Sequence, residues 1–255
     1  MTNRIAVFTT ACIAVALIAG AQTLLETSGE ARFQLDFHVP DAALAAMLPQ
    51  GFTPNVATQG PAKDANIRVI FVDRMTVNGG DGKPVGKGSS RFVYLASPVK
   101  DPSGANAQVV ISGLTDDAAD APGPFGVYLP ATTHRMERST ASGGSGPVID
   151  KQEWVFQAAS GEHLEVHLEY EHGVGNKGNP GEGKFYSAKN PAVLQIWRQE
   201  QVLDILRNAT TNPPDHVKKF SFKGGGGTYA RLFDGTERTL SWDNIVWVTR
   251  TVLQP

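Results

Sequence analysis

Between Val127 and Ser139 the chain carries its densest run of side chains able to do chemistry: Tyr128, Thr132, Thr133, His134, Arg135 and Glu137. An imidazole such as His134 can act as acid or base near neutral pH, and Glu137 could share that work. A guanidinium such as Arg135 can clamp a carboxylate through two parallel hydrogen bonds. On a strand, adjacent side chains point to opposite faces, so only one of His134 and Arg135 can face a given ligand. A plain polar strand edge accounts for the same residues equally well.

A second cluster runs from Glu162 to His172. His163, Glu165, His167 and Glu169 alternate with Leu164, Val166, Leu168 and Tyr170, so a strand would place the four polar groups on one face. Imidazole and carboxylate ligands suit a divalent metal, but a complete site needs help from another strand. A solvated or ion-paired face explains the pattern more simply, and neither a metal nor a cofactor is expected. There is no Gly-x-Ser-x-Gly elbow. Gly224–Gly227 lacks the Lys-Ser/Thr that completes a phosphate cradle and reads as a flexible turn. Lys218-Lys219 is the one Lys-Lys pair, and on a strand its two amines point apart.

The elements that must hold these groups are mostly strands. Phe33, Leu35 and Phe37 alternate with Arg32, Gln34, Asp36 and His38, which predicts a half-buried strand over 31–38. Pro40-Asp41 opens a short helix that Pro49-Gln50-Gly51 stops. Further strands are expected at 66–73, 91–96, 108–112, 152–157 and 163–170, with a Gly-, Asp- and Lys-rich hairpin loop over 78–89. Pro191 suits a helix start, but the apolar residues of 190–208 do not gather on one helical face; two strands split at Gln199-Glu200-Gln201 fit a fully apolar environment equally well and are preferred to the helix. The 27 glycines and 16 prolines punctuate short β-rich runs, which favours a barrel or sandwich over βαβ units.

Three blocks resemble the acetoacetate decarboxylase family. They are the strand-helix unit Leu35 to Pro54, the stretch around Leu129-Pro130, and the C-terminal run from Gly227 to Pro255. The resemblance implies a mainly β, antiparallel barrel-like single domain over 22–255, with a few short helices and a substrate pocket inside. It also implies that part of the set Tyr128, Ala131, Thr132 and Thr133 contacts the ligand. In that family a proline precedes the lysine that forms a Schiff base, and a neighbouring lysine lowers its pKa. This chain has Ala131-Thr132 at that place, which closes the iminium route there. The expectation is a binding protein for a small carboxylate or keto compound. The alternative is a lyase, decarboxylase or hydrolase acting on a small keto acid in the same pocket, with His134, Arg135 or Glu137 as acid–base groups.

Residues 1–21 read as a cleavable export signal: Arg4, an apolar run from Ile5, and Ala19-Gly20-Ala21 before Gln22. The expected location is therefore periplasmic or secreted, without stable membrane association after cleavage. Cys12 is the single cysteine and lies in that segment, so the domain must hold together through its core, without disulfides. With 23 basic and 25 acidic residues and no basic patch interleaved with aromatics, no nucleic-acid partner is expected. A small organic ligand is the expected partner, and self-association into a homo-oligomer is compatible with the chain.

Overall fold

A computed structural model describes residues 22–117, 125–210 and 215–255. The expected export segment, with Cys12 and its cleavage site before Gln22, lies outside the described residues. The strands are β1 (Thr23–His38), β2 (Thr53–Pro54), β3 (Ile67–Gly79), β4 (Ser90–Lys100), β5 (Asn106–Thr115), β6 (Tyr128–Ala141) and β7 (Ile149–Ala158). They continue with β8 (His163–Glu171), β9 (Asn176–Lys177), β10 (Gly181–Ser187), β11 (Leu194–Asn208), β12 (Val217–Gly225) and β13 (Arg238–Gln254). One short helix, α1 (Asp41–Ala45), follows β1, and a 3-10 turn covers Gly227–Arg231.

Seven strands close a ring in the order β5-β10-β11-β13-β1-β3-β4, with β4 returning to pair with β5. Beyond β5, a second layer continues as β6-β7-β8-β12. The mainly β, barrel-like single domain is as expected, but the sheet is mixed. Strand β5 pairs in parallel with β10 over 108–110 and with β6 over 113–115. Register shifts between β1 and β13 at Leu24/Glu26, Glu30/Arg32 and Asp36/Phe37 add the local bend and twist that closure requires.

Alternation along β1 generates two interiors. Phe33, Leu35 and Phe37 face outward from the ring into a core shared with Phe71, Trp154, Phe156, Leu164 and Val166. Each of these fully buried aromatic or aliphatic side chains stabilises the fold by about 1.5–3 kcal/mol relative to exposure. The other face of β1, with Glu30, Arg32, Gln34 and Asp36, turns into the ring. There it meets a smaller apolar cluster that includes Ile70, Val72, Phe92, Tyr94, Val110 and Trp197. The half-buried strand expected at 31–38 is thus covered on both faces.

Two further expectations need correction. Residues 194–208 form one continuous strand, with irregularities at Val202/Leu203 and Ile205/Arg207 where two strands were expected. Its apolar residues fail to gather on one side because both sides are covered: Trp197 packs in the ring and Leu206 in the outer core. The glycine run at 224–227 is a close-packed corner. Gly226 has φ +71°, and a Cβ there would lie 1.8 Å from the Gly161 carbonyl oxygen.

Candidate functional site

The ring encloses a cavity of about 310 Å³. Its polar wall is formed by Arg32, Gln34 and Asp36 from β1, Arg68 from β3, Tyr94 from β4, Gln108 from β5, Gln199 and Gln201 from β11, and Asp243 from β13. Ile70, Ala96, Phe185, Leu203, Ile205 and Ile245 supply the apolar wall. A hollow of about 200 Å³ beside Trp197 shares Gln108, Phe185, Gln199 and Gln201 with it. Polar side chains that converge in a concavity with an apolar wall can fix the orientation of a small ligand. Among the described residues that line the cavity there is no lysine.

A buried ion network supports this cavity. Glu30 is fully buried and accepts hydrogen bonds from Ser28 Oγ at 2.6 Å and Arg32 Nε at 2.6 Å. Arg250 Nη2 lies 2.9 Å from Glu30 Oε1 and donates to Glu26 Oε1 at 3.0 Å. Arg74 reaches the other Glu26 oxygen at 3.1 Å. Burial alone would raise the pKa of Glu30, but Arg250, Arg32 and the hydrogen bonds from Ser28 and Arg32 outweigh it, and the net value is about 2. The network thus sets the guanidiniums of Arg32, Arg74 and Arg250 around the carboxyl groups of Glu26 and Glu30.

Several polar atoms in this interior lack a hydrogen-bond partner. Arg32 Nη2 stands 2.5 Å from Glu30 Oε2 without the alignment of a hydrogen bond. Arg250 Nε and Nη1, Tyr128 Oη and Gln108 Oε1 are likewise buried without partners. The Arg250 guanidinium sits 4.5 Å above the Trp197 ring, and its charge is felt by Tyr94 and Tyr128. A buried unmatched polar group costs about 1–3 kcal/mol, and more when charged; of these residues Arg32 and Gln108 line the cavity, while Arg250 and Tyr128 lie behind its wall.

Further along the same wall, β1 and its neighbour β13 each contribute a carboxyl. Asp243 accepts from Ser241 Oγ at 2.6 Å, while Asp36 accepts from Gln34 Nε2 at 3.2 Å and lies 3.4 Å from Arg68 Nε. Burial, and then the charge of Asp36, push Asp243 up to about 7. Burial also raises Asp36, against the opposing pull of Arg68 and Gln34. A carboxyl that holds its proton to near neutral pH, with a second buried carboxyl on the neighbouring strand, is an arrangement suited to acid–base work.

The residues singled out in the sequence fall in different places. Tyr128 joins the ring interior: its side chain packs against the apolar cluster there, and burial pushes its pKa up. Gly113 makes room for it, since a Cβ at that position would lie 2.5 Å from the Tyr128 ring. Ala131 is half-buried against the outer core. Thr132, Thr133, His134, Arg135 and Glu137 are exposed along β6. Thr132 Oγ1 donates to the Gln157 carbonyl at 3.1 Å, and Arg135 pairs with Glu153. None of these five lines the cavity.

The His/Glu face of β8 is part of a charge ladder across the second layer. Glu165 pairs with His167 at 2.7 Å and Lys223 at 3.2 Å, and Glu169 with Lys219 at 3.1 Å and Lys151 at 3.6 Å. Lys218 pairs with Glu171 at 2.8 Å. Among the described residues no group of three or more His, Cys, Asp or Glu side chains is arranged to hold a metal ion.

Asp36 and Asp243 were not singled out by the sequence reading, because 206 intervening residues separate them and only the β1–β13 pairing joins them. Arg32 and Asp36 lie on the polar face of β1, and the signal for them is that Glu26, Ser28, Glu30, Arg32, Gln34 and Asp36 put a polar or charged residue at every second position of one long strand.

No family model matches the sequence, and no curated protein matches it either. Solved structures do. One is the enduracididine biosynthesis enzyme MppR, complexed with the condensation product of pyruvate and imidazole 4-carboxaldehyde: TM-score 0.54, 10% identity, covering 91% of this chain and 87% of that one. Another is an acetoacetate decarboxylase-like enzyme from Sphingomonas wittichii RW1: TM-score 0.52, 11% identity, covering 91% of both chains. Identities this low speak for architecture alone, and the architecture of this chain is the acetoacetate decarboxylase-like fold.

Proposed function

We propose that this protein is exported and binds a small carboxylate-bearing keto compound inside its barrel, without forming a Schiff base. The guanidinium of Arg32, a side chain only 4% exposed and set in the cavity wall beside its ion-pair partner Glu30, carries the reading. A ligand carboxylate that reaches this guanidinium from the cavity would accept a charge-assisted hydrogen bond from it. The cavity volume suits a molecule of a few heavy atoms, and Phe185, Ile70 and Ile245 give its carbon skeleton an apolar wall. A solved structure of similar fold holds a pyruvate-derived product, which agrees in ligand class. The absence of lysine from the cavity wall and the presence of Ala131 both speak against imine chemistry.

Trp197 lies beside the cavity and reports occupancy through its fluorescence. Titration with pyruvate, 2-oxobutanoate and acetoacetate should give saturable quenching, and Arg32→Met should abolish it while the far-UV circular dichroism is retained. Borohydride reduction in the presence of each compound should leave the mass unchanged. Equal binding by the Arg32→Met variant, or a trapped lysine adduct, would overturn the proposal. Export is tested separately by cell fractionation and by an N-terminal mass that begins at Gln22.

A further inference from the structure

We infer that the open edge of β6 is the interface of a two-fold symmetric dimer, in which residues 131–141 of two copies pair as antiparallel strands about Met136. Strand β6 leaves β5 after Pro130 and from there to Ala141 pairs with β7 alone, so among the described residues one side of its backbone meets no strand. Every second residue of such a strand directs its N–H and C=O outward, a ready template for another chain. Open edges that are not used are blunted by lysines, prolines, bulges or shortness. The far edge of the second layer, β12, carries Lys218, Lys219 and Lys223. Between Ala131 and Ala141, β6 has neither lysine nor proline, and its one irregularity lies at Ala131/Thr133.

The residues of this edge complement themselves. Outward from Met136, an antiparallel pair of copies sets Arg135 opposite Glu137, His134 opposite Arg138, Thr133 opposite Ser139, Thr132 opposite Thr140 and Ala131 opposite Ala141. The two-fold makes each pairing twice, and opposite charges directly across an antiparallel pair attract where like charges repel. Residues that face each other across a pair must lie on the same side of the sheet, so the register can move only in steps that keep this parity. The nearest alternative centres are Arg135 and Glu137, and each sets a charge against its own copy. The centre at Met136 alone brings Arg135 directly opposite Glu137.

Both faces of β6 gain from this pairing. Within one copy Glu137 lies opposite Glu153 on β7, while Arg135 pairs with Glu153 and stands 3.8 Å from Glu137. A second copy brings another guanidinium to Glu137 from the open side. On the other face, His134, Met136 and Arg138 stand beside the buried Phe156, Trp154 and Gln152 of β7, yet His134 and Arg138 are exposed and Met136 is half-buried. Met136 of the second copy covers this rim of the core with apolar surface. A two-fold perpendicular to the sheet keeps the core-facing sides together. The two second layers, β6-β7-β8-β12 in each copy, then form one continuous sheet with both rings on the same side of it. No residue of 131–141 lines the ring cavity, so pairing at this edge is independent of the ligand.

Sedimentation velocity on the purified protein at micromolar concentration should show a particle of twice the chain mass. Arg135→Glu and Glu137→Arg each set like charges across both halves of the interface, and each should raise the dimer dissociation constant about 30-fold or more with the far-UV circular dichroism retained. The double variant Arg135→Glu/Glu137→Arg restores opposite charges in the same register and should return the constant to within about three-fold of the wild type. In a Cys12→Ser background Met136→Cys supplies the single thiol. Directly opposed residues of an antiparallel pair have Cα atoms about 4.5–5.5 Å apart, within reach of a disulfide, so mild oxidation should cross-link this variant into a dimer. Thr132→Cys in the same background lies opposite Thr140, roughly 27 Å along the strand from its own copy at about 3.4 Å per residue, and should stay uncross-linked. A monomeric wild type, a dimer unmoved by either single reversal, a double variant as weak as the singles, or cross-linking at position 132 in place of 136 would overturn the proposal.

Discussion

Asp243→Asn should raise stability at pH 8 and alter it little at pH 4. Aspartate ordinarily titrates at 3.8, and in the folded protein Asp243 titrates at about 7. Between these values the folded state keeps a proton that the unfolded chain releases, so stability falls as pH rises through the window. The cost is absent below about 3.8 and fully present above about 7. About three units at 1.36 kcal/mol each give roughly 4 kcal/mol at the alkaline end. Asparagine resembles the protonated acid in shape, keeps an oxygen to accept from Ser241, and removes the repulsion on Asp36. Urea unfolding of both proteins from pH 4 to pH 8 gives a difference curve from which the other titrating groups largely cancel. That curve should start near zero and climb to about 3–4 kcal/mol. A curve that stays flat across the range would refute the reasoning, because it would mean that Asp243 is ionised alike in both states. A curve that climbs would show a stabilising change at a residue that lines the ligand cavity, which is where strain of this kind is commonly stored.

Other substitutions separate the parts of the interior. Glu30→Gln leaves Arg32 and Arg250 buried without their shared carboxylate and should cost about 3–5 kcal/mol in urea unfolding at pH 7. Because the Glu30 pKa is depressed to about 2, the wild-type advantage should shrink as pH falls below about 4.5. Gly226→Ala forces a Cβ against the Gly161 carbonyl at a positive φ and should cost more than about 2 kcal/mol, read as a lowered thermal midpoint. Ala131→Lys should yield no borohydride-trapped adduct with acetoacetate, because position 131 packs against the outer core and does not line the cavity. A trapped adduct in that variant would show that the amine reaches a ligand.

What could be read in the sequence, and what could not, follows from the geometry of strands. Alternation at 31–38 identifies which residues share a face, and the Phe33, Leu35 and Phe37 face is indeed the core-facing one. Alternation does not say what the other face meets. A polar face turned to solvent and a polar face turned into a closed ring have the same period of two, so Arg32 and Asp36 look like surface until β4 is seen to return to β5. The same ambiguity runs in the opposite direction at β6. Thr132 to Glu137 form the chain's densest polar stretch, yet β6 leaves the ring after the short parallel pairing at Tyr128–Pro130 and joins the second layer, whose outer face is solvated. Tyr128 stays with the ring because it lies within that three-residue junction. Local density of reactive side chains is therefore a poor guide in a barrel of long, bent strands. Closure selects one inward residue in two from each of seven strands, and it brings Asp36 beside Asp243 although nearly the whole domain separates them in sequence. The ligand site assigned to this interior depends on contacts that only ring closure creates, and for that reason the inward residues of the ring test it more sharply than the exposed residues of the 127–139 segment.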